Sequence, residues 1–242
     1  MYAELIDSMG TDLTVVNAAR CSFSAVSTEL SKKDIGLINF LARGCMKSDW
    51  DDALHEAAMF YDVTELEKIL KWAKNMPTHW SPFAHAMITM RETVPIFVAR
   101  QRFKHAVGFA YNEVSRRYVD DTPEFHVPES WRSRPVGGIK QGSAGTHLSN
   151  DYHRGNYAGF IEAAQSLYEN MIEDSVAPEQ ARMVLPQSML TTYWVTGSLY
   201  AWANAYIQRS DAHAQVEIQD MAKQWDEIIS PLFPHSWDAL VK

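Results

Sequence analysis

The sequence predicts an α+β protein in which a mixed sheet is flanked by helices. Helical spacing of apolar residues dominates the second half of the chain, whereas the alternating pattern of strands is found in its first hundred residues. At 242 residues the chain can bury a sizeable core. No long low-complexity linker divides it, so we expect residues 1–242 to form a single domain.

The first half of the chain contains two predicted helices and one predicted strand. The segment SKKDIGLINFLARG, residues 31–44, begins with a serine suited to cap a helix and ends with a glycine suited to terminate it. The segment TELEKILKWAKN, residues 64–75, begins with a capping-box pattern and continues as an amphipathic helix. In FAHAMITMRETV, residues 83–94, apolar side chains alternate and predict a half-buried strand. The alternating residues are Ala84, Ala86, Ile88 and Met90.

The second half of the chain is predicted to be irregular at first and then helical. Residues 120–157 contain several Pro, Gly and Ser residues and the run GGIKQGSAG. This composition indicates a long loop, suited to a mobile lid or to an interface. Helical patterns follow at residues 158–175, 178–208 and 212–229 and complete the α+β arrangement.

Composition and charge exclude several classes of protein. The formal net charge is −8, which argues against general nucleic-acid binding because that function needs a basic surface. No apolar run approaches the roughly 20 residues that span a bilayer, and the N-terminus lacks a secretory pattern. We therefore expect a cytoplasmic protein with no membrane partner. The two cysteines, Cys21 and Cys45, do not have the spacing of metal ligands.

Several familiar catalytic motifs are missing from the sequence. HEAAM, at residues 55–59, lacks the second histidine of the HExxH zinc site, and we predict no metal ion. The sequence contains no GxGxxG fingerprint, no P-loop and no G-x-S-x-G elbow. Any chemistry must therefore use other groups.

Residues 100–118, RQRFKHAVGFAYNEVSRRY, concentrate positive charge in an acidic chain. They hold five permanent cations and a single acid, Glu113. Two interpretations stay open: a solvated helix face, or a site for a small phosphate-bearing ligand, since the planar fork of arginine suits phosphate. A second polar group, within the apolar segment 181–219, contains Arg182 and Arg209. For these two arginines the alternative to ligand binding is a buried ion pair.

Together these segments resemble the flavin-dependent thymidylate synthases. The resemblance begins at MGTDLTVVNAARCSF and continues through HWSPFAHAMITMRETVPIFVARQRF, the cationic stretch, ARMVLP and QRSDAHAQVEIQ. The family signature is Arg-His-Arg, followed after seven or eight residues by Ser-x-Arg. Here it is present as Lys104-His105-Ala106 and Ser115-Arg116-Arg117. Residues 45–75 and 120–157 lie outside the matching blocks and correspond to family-variable insertions.

The resemblance implies a reaction, its cofactors and an assembly. Members of the family are homotetramers whose active sites are built from several subunits. They bind FAD, take hydride from NADPH and transfer a methylene group from 5,10-methylenetetrahydrofolate to dUMP, which yields dTMP. This chemistry needs no covalent enzyme nucleophile. The implied function is flavin-dependent synthesis of dTMP.

The resemblance also implies site residues, one position at a time. Arg209 is the implied catalytic residue, because a fixed cation beside the developing anion of the uracil ring acts as an electrostatic catalyst. The implied dUMP site consists of Gln101, Arg102, Phe103, Lys104, Glu113, Val114, Ser115, Arg116, Arg117, Arg182 and Arg209. The implied FAD site consists of His79, Ser81, Lys104, His105, Ala106, Glu113, Ser198, Leu199, Tyr200 and Asn204.

Two residues depart from the family signature. Lys104 keeps the charge of the expected arginine but loses its bidentate fork, and Ala106 removes a charge. Arg100, Arg102 and Arg116 are candidates to supply the missing cation. The departures leave an alternative open, namely a related flavin-dependent methyl- or hydroxymethyltransferase that acts on another pyrimidine deoxynucleotide such as dCMP. A non-catalytic nucleotide- or nucleic-acid-binding protein that uses the cations of residues 100–118 is a third hypothesis. The net charge of −8 and the apolar sequence setting of Arg182 and Arg209 argue against it.

Overall fold

The computed structural model describes residues 1–43, 45, 64, 68, 78–136 and 142–242. Within these ranges the chain forms four strands and eight α-helices, numbered in chain order, and the predicted α+β class is confirmed. The elements are β1 (Tyr2–Met9), α1 (Asp12–Arg20), α2 (Lys32–Ala42), β2 (Met87–Pro95), α3 (Ile96–Arg102), β3 (Phe109–Glu113), α4 (Asn150–Glu173), α5 (Pro178–Ala181), β4 (Leu190–Ser198), α6 (Leu199–Ser210), α7 (Val216–Ile229) and α8 (Pro234–Val241). Short 3₁₀ helices occupy Cys21–Phe23, Ser81–His85 and Arg182–Val184.

The four strands form one sheet in the order β1-β2-β4-β3. β3 pairs antiparallel with β4, with Phe109 opposite Gly197 and Glu113 opposite Tyr193. A Cβ atom on Gly197 would lie 2.3 Å from the ring of Phe109, so this close approach requires glycine. The pairing places the polar end of β3 beside the first half of β4.

The chain divides into two compact units. The prediction of a single domain over the whole chain stays a prediction. The first unit contains residues 1–7, 89–197 and 205–228, and the second contains residues 8–88, 198–204 and 229–242.

The core of the first unit encloses a buried ion pair. Arg102 Nε lies 3.4 Å from Glu92 Oε2, and both side chains are 0% exposed. The Tyr193 hydroxyl donates to Glu92 at 2.5 Å, and Arg102 Nη1 donates to the Tyr111 hydroxyl at 2.6 Å. The guanidinium also lies 4.8 Å from the ring centroid of Trp225. This network joins β2, α3, β3, β4 and α7.

The second unit is held together by two buried carboxylates. The predicted N-cap of α2 is confirmed, since Ser31 and Asp34 form a reciprocal capping box. Asp34 also accepts a 2.5 Å ion pair from Arg20, which ties α1 to α2. Asp12 accepts two backbone N–H groups at the start of α8, at 2.9 and 2.8 Å. Because these carboxylates satisfy otherwise unpaired helix N-termini, they fix how the helices meet.

One prediction of secondary structure is wrong, and one interpretation that was left open is excluded. Residues 178–208, predicted as one helix, contain α5, a 3₁₀ helix, β4 and most of α6. Strands are consequently not confined to the first hundred residues. The cationic stretch is also no continuous helix, because α3 ends at Arg102 and residues 109–113 form β3. Lys104 therefore lies beyond the helix that carries Arg100.

Other differences concern boundaries. α4 begins at Asn150 rather than at residue 158, and α7 begins at Val216 rather than at residue 212. The strand predicted within residues 83–94 begins at Met87, because residues 81–85 form a 3₁₀ helix. Ala86, Ile88 and Met90 are fully buried, so the predicted alternation holds as far as Glu92, after which every residue of β2 is buried. The motif at residues 55–59 and nearly all of the helix predicted at 64–75 lie outside the described residues. No helix among those described is long and apolar enough to cross a membrane.

Candidate functional site

A cavity of about 650 Å³ lies beside the paired ends of β3 and β4 in the first unit. β3 ends at Glu113, and the chain then turns through residues 114–118, which directs polar side chains to the cavity wall. We call this space the Arg117 cavity. It brings together six residues of the implied dUMP site, which are Glu113, Val114, Ser115, Arg116, Arg117 and Arg182.

Two arginines of the Arg117 cavity are available to bind an anion. Arg117 is exposed, and its Nε donates to Ser115 Oγ at 3.3 Å. Arg182 is also exposed and donates to the main-chain oxygen of Glu179 at 3.2 Å. Within the described part of the chain neither forms an ion pair with a carboxylate, so both charges can be directed at a phosphate. A buried ion pair, the alternative left open for Arg182, is wrong.

The other polar residues of the Arg117 cavity are partly engaged. Arg116 forms a 2.8 Å ion pair with Asp121 and lies 6.0 Å from the ring centroid of Tyr168. Glu113 Oε1 accepts a hydrogen bond from Thr191 Oγ1 at 2.7 Å. The charge of Arg116 is therefore largely neutralised. Glu113 keeps its second oxygen for a ligand O–H or N–H, since no described residue donates to it.

A second set of implied residues gathers where α6 ends beside α3. We call Gln101, His105 and Arg209 the Arg209 cluster. Arg209 Nε donates to His105 Nε2 at 2.8 Å, and its Nη2 donates to the main-chain oxygen of Gln101 at 3.1 Å. His105 accepts through Nε2 and therefore carries its proton on Nδ1. Among the described residues no carboxylate forms an ion pair with Arg209, so its charge is not neutralised. The alternative interpretation of Arg209 as a member of a buried ion pair is therefore wrong.

Partial burial of the Arg209 cluster lowers the pKa values of two of its residues, Arg209 and His105. Burial, together with the charge of Arg102, lowers the pKa of Arg209 below its usual value. Burial, followed by the charges of Arg209 and Arg102, lowers the pKa of His105 to about 4. His105 is therefore neutral near pH 7, as its role as an acceptor from Arg209 requires.

The depressed pKa of His105 predicts a pH dependence of stability. The unfolded chain binds a proton at this residue near pH 6.5, whereas the folded chain does so only near pH 4. The stabilisation that neutral His105 contributes to the fold is therefore complete above pH 6.5, and it is lost as the pH falls to 4. We expect a loss of roughly 1–2 kcal/mol after solvent screening is allowed for. Urea unfolding of the protein and of His105→Gln between pH 4 and 7 measures it. If the free energy of unfolding falls equally with decreasing pH in both proteins, the assignment to His105 is contradicted.

Of the residues implied at the dUMP site, Arg102 lies in the core and Phe103 is half-buried. Arg102 is 0% exposed and pairs with Glu92, so its side chain offers no surface to a ligand and cannot supply the cation that Ala106 lacks. The ring of Phe103 packs edge-on against Tyr111 and Tyr193, with centroids 5.0 and 4.9 Å away. Since Arg116 is paired with an aspartate, exposed Arg100 is the remaining candidate for the missing charge.

Several residues implied at the FAD site belong to the second unit. Ser198 and Leu199 are buried, and Ser198 Oγ accepts the backbone N–H of Ala201 at 3.2 Å. The N–H of Leu199 donates to Ala86 at 2.9 Å. Both residues therefore make hydrogen bonds that stabilise the N-terminus of α6. The other implied FAD residues, Lys104, His105, Ala106 and Glu113, lie in the first unit.

The remaining residues of the second unit fit a flavin. The ring of exposed Trp80 lies 5.6 Å from that of Tyr200, at an angle of 34°, so each ring offers a flat aromatic face. His79 and Asn204 are half-buried, and Ser81 is exposed. A flavin needs a flat surface for its ring and hydrogen-bonding groups for its polar edge and phosphates, and this set contains both. The described ranges contain no group of His, Cys, Asp and Glu side chains suited to a metal ion.

Two residues that hold this site were not predicted. Thr191 donates to Glu113, and Gln215 accepts from the side chain of Gln101 at 2.5 Å. Thr191 lies on the buried side of β4, which was predicted as part of a helix, so no pattern in the sequence identified it. Gln215 lies inside the matching block QRSDAHAQVEIQ, but no sequence pattern distinguishes it there.

Comparisons with known proteins agree with this arrangement. A family model described as thymidylate synthase complementing protein, Thy1, matches residues 4–235. The chain is 30% identical over 241 residues to the flavin-dependent thymidylate synthase of Thermotoga neapolitana, and the match covers 100% of this chain and 91% of that protein. It is 29% identical over 238 residues to the flavin-dependent thymidylate synthase of Thermus thermophilus, with 98% and 74% covered.

A solved structure extends the similarity to three dimensions. The chain superposes on the UMP/dUMP methylase PolB from Streptomyces cacaoi, bound with 5-Br dUMP, with a TM-score of 0.74 and 25% identity. The match covers 98% of this chain and 93% of the methylase. The same methylase bound with 5-Br UMP gives a TM-score of 0.73.

Proposed function

The chain belongs to the thymidylate synthase complementing protein family, and we propose that it is a flavin-dependent thymidylate synthase that converts dUMP into dTMP. It is an enzyme of the methyltransferase class. The observation that best supports this function is the Arg117 cavity, where two arginines without carboxylate partners among the described residues lie beside a carboxylate. Such a site suits the phosphate and sugar of a nucleotide.

Each polar residue has a proposed role. Arg117 and Arg182 bind the phosphate of dUMP, and Glu113 accepts a hydrogen bond from the nucleotide. Arg209 stabilises the negative charge that develops on the pyrimidine ring as C5 becomes nucleophilic. It acts by charge and hydrogen bonding, because a guanidinium stays protonated.

The cofactors are part of the proposal. A bound FAD supplies the hydride that completes the methyl group, methylenetetrahydrofolate supplies the carbon, and NADPH is the reductant. The residues of the second unit proposed to hold FAD are His79, Ser81, Tyr200 and Asn204, with the main chain at residues 198–199. The cytoplasmic location and the absence of nucleic-acid binding stay predictions.

A visible spectrum tests the flavin directly. Purified protein incubated with FAD and then desalted is expected to keep the two flavin absorption bands in the visible and near-ultraviolet range. A protein that cannot be loaded with FAD would sink the proposed function and would favour the non-catalytic nucleotide-binding hypothesis.

A homotetramer with shared active sites is also proposed. Neither Gln101 nor Arg209 lines the Arg117 cavity, although the resemblance assigns both of them to the same dUMP site as Arg117 and Arg182. Two half-sites that meet across a subunit interface account for this separation.

The surface of α4 supports such an interface. Tyr152, Phe160 and Leu167 are 69%, 55% and 49% exposed, and their spacing places them on one face of the helix. Gly155 and Gly159 share that face, and nothing lies within 4 Å of the position of an added Cβ at either glycine. A partner helix can therefore approach closely.

Mixing two inactive chains tests the shared site. Arg117→Ala and Arg209→Ala are each expected to be inactive alone, because each removes one half-site. When the two chains are co-expressed in equal amounts, random assembly pairs an intact Arg117 half-site with an intact Arg209 half-site in about a quarter of the sites. We therefore expect roughly a quarter of the parental rate of dTMP formation. No recovery in verified hetero-oligomers would place both half-sites on one chain.

A second candidate function is methylation of UMP as well as dUMP. Its support is the similarity in fold to a UMP/dUMP methylase, together with Lys104 and Ala106 in the signature. The alternative of a dCMP methyl- or hydroxymethyltransferase rests on the same two residues. Mass spectrometry of products formed from an equimolar mixture of dUMP, UMP and dCMP distinguishes these substrates and shows whether a methyl or a hydroxymethyl group is added.

A further inference from the structure

Gln101, in the Arg209 cluster, forms hydrogen bonds with two residues, one through its side chain and one through its main chain. Its side-chain Nε2 donates to Gln215 Oε1 at 2.5 Å, and its main-chain oxygen accepts from Arg209 Nη2 at 3.1 Å. An amide side chain can present either its oxygen or its N–H₂ group to a ligand, and these have opposite hydrogen-bonding character. Whatever orients the amide of Gln101 therefore decides what it recognises beside Arg209.

Gln215 is well placed to set that orientation, because its own position is fixed. Its main-chain oxygen accepts two backbone N–H groups from the first turn of α7, at 3.0 and 3.1 Å. Its side chain is not needed for this cap and is free to contact Gln101. The capping contacts hold the start of the helix, so the Gln215 side chain reaches Gln101 from a rigid element.

A buried anion near Gln215 favours the orientation in which the oxygen of its amide faces Gln101. Glu217 is 7% exposed and forms a 2.5 Å ion pair with Arg132. Burial raises the pKa of Glu217, but Arg132, the backbone and the Gln215 side chain lower it by more, so Glu217 is ionised near pH 7. A carboxylate attracts the N–H₂ end of the Gln215 amide. The oxygen end is left for Gln101.

We infer that Gln215 is a positioning residue for the nucleotide: it holds Gln101 Nε2, so that Gln101 Oε1 is the atom presented to the ligand. No described residue donates to Oε1. Gln101 therefore accepts a hydrogen bond from an N–H or O–H group of the pyrimidine nucleotide. This inference rests on the proposed function and extends it to a residue that does not itself touch the substrate.

A double-mutant cycle tests the inference. Gln215→Met keeps the length of the side chain but removes the acceptor, so the amide of Gln101 loses its fixed orientation. We expect a rise of about three- to tenfold in KM for dUMP, with kcat within about twofold, because one hydrogen bond to the bound nucleotide is weakened. Gln101→Met should give a similar rise. The double variant should be no worse than Gln101→Met alone, because both changes remove the same interaction.

A neighbouring glutamine provides the matched control. Gln219 lies in the same turn of α7, and its Nε2 donates to the main-chain oxygen of Ala214 at 2.7 Å rather than to Gln101. Gln219→Met should leave KM unchanged. Gln215→Asn, which shortens the side chain and withdraws the amide, is a second variant and should reproduce the effect of Gln215→Met.

The outcomes separate the inference from the function on which it rests. If the parental enzyme forms no dTMP, the proposed function fails and the inference fails with it. If the parental enzyme is active but both Gln215 variants keep its KM, the inference alone is overturned. Effects of Gln215→Met and Gln101→Met that add in the double variant would also overturn it, because Gln215 would then act independently of Gln101.

Discussion

Replacing Arg209 with alanine is expected to lower kcat for dTMP formation by about 10²- to 10³-fold, the loss typical of a preorganised electrostatic donor. Arg209 is half-buried, and its two hydrogen bonds, to His105 Nε2 and to the main-chain oxygen of Gln101, are both to neutral acceptors. Its charge is therefore uncompensated and held in place before the substrate arrives. A fixed charge of this kind stabilises a developing anion without the cost of reorganising solvent.

The experiment must separate lost chemistry from lost structure. Arg209→Ala should retain the flavin spectrum and the thermal midpoint of the parental enzyme to within a few degrees. Lys223→Ala, which removes a cation from a surface pair with Asp220, is the control and should leave kcat unchanged. Parental turnover by a folded, flavin-loaded Arg209→Ala would contradict the role of Arg209.

Replacing Arg102 with alanine is expected to destabilise the protein by about 3–5 kcal/mol, the range for breaking a buried ion pair. The change leaves the carboxylate of Glu92 buried without its cation, and both side chains are 0% exposed in the folded chain. It also removes the donor to the Tyr111 hydroxyl and the stacking on Trp225. Urea unfolding at a fixed protein concentration measures the loss, since assembly makes the midpoint concentration-dependent.

A paired variant isolates the charge from the packing. Glu92→Gln combined with Arg102→Met removes both charges, keeps an acceptor for the Tyr193 hydroxyl and fills most of the volume. This double variant should recover more than half of the stability lost in Arg102→Ala, because no buried charge remains unpaired. A loss below about 1 kcal/mol in Arg102→Ala would show that the pair is not the buried anchor described above.

The sequence predicted correctly those helices and strands that have a capping motif or an alternating apolar pattern. The N-cap of α2 is recognisable because Ser31 and Asp34 make a local, reciprocal contact. The alternation at the start of β2 is recognisable because, as far as Glu92, one side of the strand is buried and the other is only partly buried. β4 was missed because its neighbours are also apolar, and an unbroken apolar run does not distinguish a strand from a helix.

The sequence could not show which of the implied site residues are buried in the core and which line a cavity. Arg102 and Arg117 both belong to the cationic stretch, yet Arg102 is paired in the core with Glu92 and Arg117 lines a cavity. Contacts between elements that are distant in sequence decide this, such as that of Arg102 with Glu92 and Trp225, and no local pattern encodes them. Arg182 was expected in an apolar setting because its neighbours in sequence are apolar, but a 3₁₀ helix turns it to the surface. The resemblance supplied the candidate residues, and tertiary contacts divided them into two groups.

Product analysis tests the central claim most directly. The FAD-loaded protein is incubated with dUMP, methylenetetrahydrofolate and NADPH, and the nucleotides are analysed by mass spectrometry. The proposed function predicts dTMP in amounts exceeding the enzyme, with formation abolished when FAD is removed and restored when it is added back. A folded, flavin-loaded protein that leaves dUMP unchanged would contradict it.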